Sequence, residues 1–184
     1  MRRRVDVDVI LDHPVERVFA YLADPGRWHE FAPAVAFRRQ IGGGPRGIGS
    51  RWTAIDQIGP IRVQFVDELV EHVLDRRVVW SSSSPWNAIT AYDCEPVDAG
   101  TRVRARYEGD VAGRLRLLAW VPTPILAWFL AGDFRRLRTV LDREATRSAY
   151  RLRPSNDRPG RLGSHRPLTG AGESVWSDHA KATD

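Results

Sequence analysis

The sequence has little of what cross-links chains or binds soft metals. Cys94 is the single cysteine in 184 residues, so no intramolecular disulfide can form and no thiolate-based metal site can assemble. That economy fits a reducing compartment, and a cytoplasmic location is expected. Long apolar runs are also lacking. The longest near-apolar stretch, Leu115 to Ala131, contains Arg116, Pro122 and Pro124 and falls short of the ~20 residues a membrane-spanning helix needs. Arg2, Arg3 and Arg4 look like a basic leader, yet Asp6 and Asp8 stand where its apolar run would have to be. Lysine is nearly missing, with 1 Lys against 27 Arg. The net charge of +5 and the pI near 10.1 therefore reflect a modest excess of a base that does not titrate in this range. Residues 1–150 hold 22 basic and 19 acidic side chains, and 151–184 hold 6 and 4. Nucleic acid is not the expected partner.

What is present is globular in kind, 42% hydrophobic and 28% charged. Val5, Val7, Val9 and Leu11 alternate with Arg4, Asp6, Asp8 and Asp12, which predicts a strand with one buried face. Asp12-His13-Pro14 follows, with Asp12 as the expected N-cap of a short helix, Val15–Leu22. Asp24-Pro25-Gly26 ends that helix and Arg27–Phe31 reads as another. Six further strands are predicted at Ala34–Ile41, Ser50–Ile58, Ile61–His72, Arg77–Ser83, Asn87–Glu95 and Thr101–Asp110, separated by Gly, Pro and Asp turn signals. A helical segment is expected over Gly113–Trp120. The prolines then break the chain, and a long helix runs from about Pro124 to Ala149, with Leu126, Phe129, Leu130, Leu137, Val140 and Leu141 on its apolar face. Residues 151–184 lack apolar periodicity and read as a disordered tail, which leaves 1–150 as a single domain.

Certain segments carry a family likeness: Val9 to Pro25, Trp28-His29-Glu30-Phe31, Gly47 to Trp52, Glu95-Pro96, Gly100-Thr101-Arg102-Val103 and Asp133 to Leu137. Over about residues 4–150 the chain resembles the START / Bet v 1-like (SRPBCC) superfamily, and within it the polyketide cyclase/dehydrase and lipid-transport group. The resemblance implies an α+β helix-grip fold: a seven-stranded curled antiparallel sheet, two short helices after the first strand, and a long C-terminal helix. It also implies a cavity between sheet and helix, with the Gly42–Gly49 loop at its entrance.

Strand alternation then gives candidate cavity residues. Trp52, Phe65, Trp80, Tyr92, Tyr107 and Phe129 are expected to line the space, with Trp120 and Trp128 near its mouth. Ala54, Ala88, Thr90 and Ala105 leave room between them. Such a lining suits a small hydrophobic ligand; the competing reading is a solid aromatic core. Arg102, Arg104 and Arg106 face outward, where the fold would set them beside Asp6 and Asp8. No histidine pattern has metal-ligand spacing, so neither metal nor cofactor is expected. Cys94 is expected to be buried and inert. Asp56 is a weak candidate acid or base if it faces inward. The preferred reading is a non-catalytic carrier of a lipid, quinone or polyketide-like ligand, with the Leu117–Leu130 segment expected as a lid over the cavity and transient membrane-surface contact as the alternative role for its aromatics. The alternative is a polyketide cyclase, aromatase or dehydratase acting on such a ligand.

Overall fold

The valine alternation at the N terminus folds as predicted. In the computed structural model, which describes residues 2–110 and 121–151, β1 (Arg3–Leu11) buries Val5, Val7 and Leu11 and exposes the charged residues between them. The chain continues through α1 (Val15–Leu22), a 3-10 turn (Pro25–Glu30), β2 (Val35–Ile41), β3 (Arg51–Ile58), β4 (Ile61–Val73), β5 (Arg77–Ser82), β6 (Ala88–Val97) and β7 (Gly100–Gly109). It ends its described part in α2 (Thr123–Arg151).

The strands form one antiparallel sheet in the order β1-β7-β6-β5-β4-β3-β2. This is an α+β helix-grip fold, a curled seven-stranded sheet with a long C-terminal helix against one face. Phe134, Leu137 and Leu141 of α2 are buried in one cluster with Val5, Val7 and Leu11 of β1, Val103 and Ala105 of β7, Tyr92 and Cys94 of β6, and Trp80 of β5. Val18, Phe19 and Leu22 of α1 join the same core. The β6–β7 turn has a positive φ of 121° at Gly100, where an added Cβ would run into the backbone of Leu11, Asp12 and His13. Only glycine allows that approach.

Two details differ from expectation. Pro14, not Asp12, occupies the N-cap of α1, and no side chain caps the helix. Asp12 instead pairs with Arg138 of α2 at 2.7 Å, while His13 meets Asp142 at 2.9 Å and Arg27 meets Glu144 at 2.5 Å. These contacts tie the helix to the β1–α1 corner and the 3-10 turn. The second short helix starts earlier than predicted, because Asp24 caps it by accepting from the Gly26 N–H at 3.0 Å. The expectations for Gly113–Trp120 and for the tail beyond residue 151 lie outside the described residues.

Candidate ligand-binding face

Directly opposed residues in a sheet share a face. The register therefore builds the inner face, the one toward α2, row by row. One row reads Trp52, Asp67, Ser82, Ala88; the next reads Leu69, Trp80, Thr90, Tyr107; and Ala54 sits opposite both Arg38 and Phe65. Trp52, Phe65, Trp80 and Tyr92 are buried on this face, and Tyr107 is partly buried beside them. Trp80 is the most enclosed. Its indole N–H donates to the Leu22 carbonyl at 3.3 Å, and its ring meets Trp28 edge-on at 5.4 Å. Tyr92 packs edge-on against both Tyr107 and Phe134, and the two tyrosine hydroxyls lie 3.4 Å apart. Trp128 and Phe129 contact each other at 5.2 Å but are 62% and 57% exposed, on the first turns of α2. Trp120 lies outside the described residues.

The inner face also carries charge. Arg38 reaches it because the β2–β3 register shifts between Val35 and Phe37. Such a bulge turns the following residue to the other face, so Phe37 is exposed while the Arg38 side chain is only 4% exposed. Its guanidinium lies 2.8 Å from Asp56 and 3.0 Å from Asp67. It also donates to the carbonyls of Phe37 and Ile55, and sits over the Phe65 ring at 5.1 Å. Ser82 donates to the other Asp67 oxygen at 2.6 Å. Burial pushes both aspartates above the usual carboxylate range, and the attraction of Arg38 opposes that rise without cancelling it. On α2, burial raises Asp133 to about 6 against the pull of Arg136 at 3.1 Å. Burial likewise raises the Tyr92 and Tyr107 phenols and lifts the Cys94 thiol to about 12.

Several buried polar atoms here have no hydrogen-bond partner among the described residues: Trp52 Nε1, Trp86 Nε1, Ser50 Oγ, Arg38 Nε and Asp67 Oδ2. The last two approach each other closely, yet off the line a hydrogen bond needs. Trp86 stands edge-on to Phe65 at 6.3 Å. Unpartnered buried donors and acceptors are rare and call for water or a ligand.

Elsewhere, the outward stripe pairs as strand adjacency implies: Arg102 with Asp8 at 2.7 Å and Arg106 with Asp6 at 3.2 Å. Asp12, His13 and Asp142 bring ligand atoms within 4.8 Å of one another. Sequence spacing hides that group, because Asp142 arrives from α2. Its members are already engaged, His13 in a hydrogen bond with Asp142 and Asp12 in an ion pair with Arg138.

The fold and this face define a helix-grip protein with a mixed aromatic and charged interior. The chain belongs to the family described as polyketide cyclase / dehydrase and lipid transport, whose model matches residues 2–148. No curated protein matches it in sequence. Among solved structures it is similar to protein SA2116 of unknown function from Staphylococcus aureus, with a TM-score of 0.63 at 10% identity, covering 79% of this chain and 97% of that one. TTHA0849 from Thermus thermophilus gives 0.61 at 16% identity, covering 74% and 95%. The di-domain ARO/CYC StfQ from the steffimycin biosynthetic pathway gives 0.62 at 12% identity, covering 79% of this chain and 52% of that one. At these identities the likeness is one of fold.

Proposed function

We propose that this chain binds a small hydrophobic ligand, such as a lipid, quinone or polyketide-like compound, between the sheet and α2. The observation that carries this reading is the pair of buried, unpartnered indole N–H groups, Trp52 Nε1 and Trp86 Nε1, the second on a ring that stands edge-on to Phe65. A buried donor left idle costs free energy that a water or a ligand oxygen would recover. An apolar wall with a few polar tips suits an oily ligand carrying oxygen. Trp52, Phe65, Tyr92 and Tyr107 offer ring surface to it, while Trp80 is committed to packing. Exposed Trp128 and Phe129 suit brief contact with a membrane surface during loading. Among the described residues no helix is long and apolar enough to cross a membrane.

A second reading, a cyclase, aromatase or dehydratase acting on a polyketide-like ligand, is favoured by the buried cluster of Arg38, Asp56, Asp67 and Ser82. Carboxyls raised by burial can hold or take a proton at the reacting carbon or oxygen. Enclosure of a flexible poly-ketone would supply the orientation that ring closure needs. Native mass spectrometry of protein purified from its own host tests the first reading: a bound small molecule is expected, released on unfolding. Incubation with a linear poly-β-ketone thioester analogue tests the second. Appearance of a dehydrated ring product, lost in Asp67→Asn, identifies an enzyme; binding without turnover identifies a carrier.

A further inference from the structure

We infer that the Arg38–Asp56–Asp67 cluster makes the inner face select against ligands ending in a carboxylate and in favour of those that bring a hydrogen-bond donor or a positive charge. This rests on the ligand-binding reading above and specifies its substrate class. An arginine on the wall of an oily site ordinarily suggests an anion receptor. Here both terminal nitrogens of the guanidinium are already occupied. Nη1 donates to the Phe37 and Ile55 carbonyls, Nη2 donates to Asp56, and Nε faces Asp67. Two carboxylates meet one guanidinium, so the ionised cluster carries one surplus negative charge. It carries that charge where water screens poorly, since the side chains of Arg38 and Asp67 are 4% and 2% exposed.

A third carboxylate brought to this place would lose its hydration and meet repulsion, with both Arg38 Nη atoms already donating to protein oxygens and Nε held 3.0 Å from the charge of Asp67. The groups left for a ligand are of another kind. Asp67 Oδ2 is a buried acceptor without a hydrogen bond. Trp52 Nε1, on the residue opposite Asp67 in the register, is a buried donor without an acceptor. Trp86 Nε1, whose ring stands against Phe65, is another. A hydroxyl, enol or phenol can donate to the first and accept from the second or third. An ammonium can neutralise the surplus charge outright. Free fatty acids fit worst.

The test uses three probes of one chain length, 1-dodecanol, dodecylamine and dodecanoate, titrated below their micelle-forming concentrations at pH 8 and followed by tryptophan fluorescence. The full chain is expected to bind the alcohol and the amine at least about tenfold more tightly than the carboxylate, the scale of a single buried charge contact. Asp56→Asn keeps an amide oxygen for Arg38 but removes one negative charge; it should narrow the gap between amine and carboxylate by about tenfold. Asp67→Asn should do the same if Asp56→Asn does not fold by circular dichroism, and the ordering in the unmodified chain needs neither variant. Carboxylate binding equal to alcohol binding, or an unchanged gap in a folded variant, overturns the inference while leaving the ligand-binding reading intact. Failure of all three probes to bind overturns both.

Discussion

Arginine and aspartate meet on both faces of this sheet, and the two meetings obey different rules. On the outer face, Arg102 and Arg106 pair with Asp8 and Asp6 across β1 and β7. Those side chains are about half exposed; hydrogen bonds from Arg4 and then Arg106 hold the Asp6 carboxyl below the usual range, and those from Arg102 do the same for Asp8. On the inner face, Arg38 faces Asp56 and Asp67 at similar distances, yet both carboxyls rise, because the lost hydration outweighs the attraction. Distance alone therefore says nothing about what an ion pair contributes. The surrounding medium decides.

The comparison breaks most sharply at Arg38. Arg38→Met deletes the cation that both buried carboxylates face, and removing one partner of a buried pair is far costlier than the pair's net worth. A loss of about 5 kcal/mol is expected, the upper end for such a break, read from urea midpoints. A loss below about 1 kcal/mol would mean that water reaches the cluster and screens it as it does the outer pairs.

Next comes the aromatic core of the same face, which Arg38 meets through Trp28. Trp80→Ala removes a fully enclosed ring, its edge contact with Trp28 and its bond to Leu22, and is expected to cost about 3–4 kcal/mol in the same measurement. The size of this effect bears on how Trp80 is to be tested as a ligand contact: weakened binding in this variant would report lost packing as readily as a lost contact. Trp52→Phe is the cleaner probe, since it keeps an aromatic ring in place and removes the idle donor.

Much of this architecture is legible in the chain because period-two alternation survives folding in β1, β4 and β7. Alternation from Trp52 and Ala54 reaches Asp56, the same rule extended two residues past Phe65 reaches Asp67, and from Trp80 it reaches Ser82, so three of the four members of the polar cluster carry a signal in the sequence. Arg38 carries none. Its inward position depends on one extra residue between Val35 and Phe37, and plain alternation from Val35 would turn Phe37 in and Arg38 out. Trp128 and Phe129 fail differently: the helical period places Phe129 on an apolar stripe with Leu126 and Leu130, but the first turns of α2 leave it and Trp128 exposed. Periodicity names a face and cannot say how far along the helix that face stays covered.

A change of pH sharpens the contrast, because buried and exposed carboxyls respond with opposite sign. Asp133 is raised from its ordinary 3.8 to about 6 in the folded chain. Between those values the folded protein keeps a proton that the unfolded chain releases, so stability falls as pH rises through the window and the loss is complete above it. The expected loss is on the order of 2 kcal/mol, allowing for partial solvation of the carboxyl. Asp133→Asn should flatten the slope of the urea midpoint between pH 4 and pH 6. For Asp6 and Asp8, lowered in the fold, stability is present above the ordinary carboxylate pKa and lost as pH falls through their depressed values. On the way into acid, the buried carboxyl therefore adds stability first, and the outer pairs give theirs up only at lower pH.

The smallest effect is the most instructive control. Arg102→Ala removes hydrogen bonds to Asp8 at 2.9 and 2.7 Å, shorter on paper than the Arg38–Asp67 contact. If solvent governs the outcome, this change barely moves the urea midpoint, and raising the salt erases what difference there is from the unmodified chain. The Arg38→Met difference should persist in the same salt, because ions that screen the half-exposed pair cannot enter a site whose side chains are almost wholly covered. Equal salt sensitivity in the two variants would place both arginines in the same medium and remove the physical ground for treating the inner cluster as a ligand-selecting element.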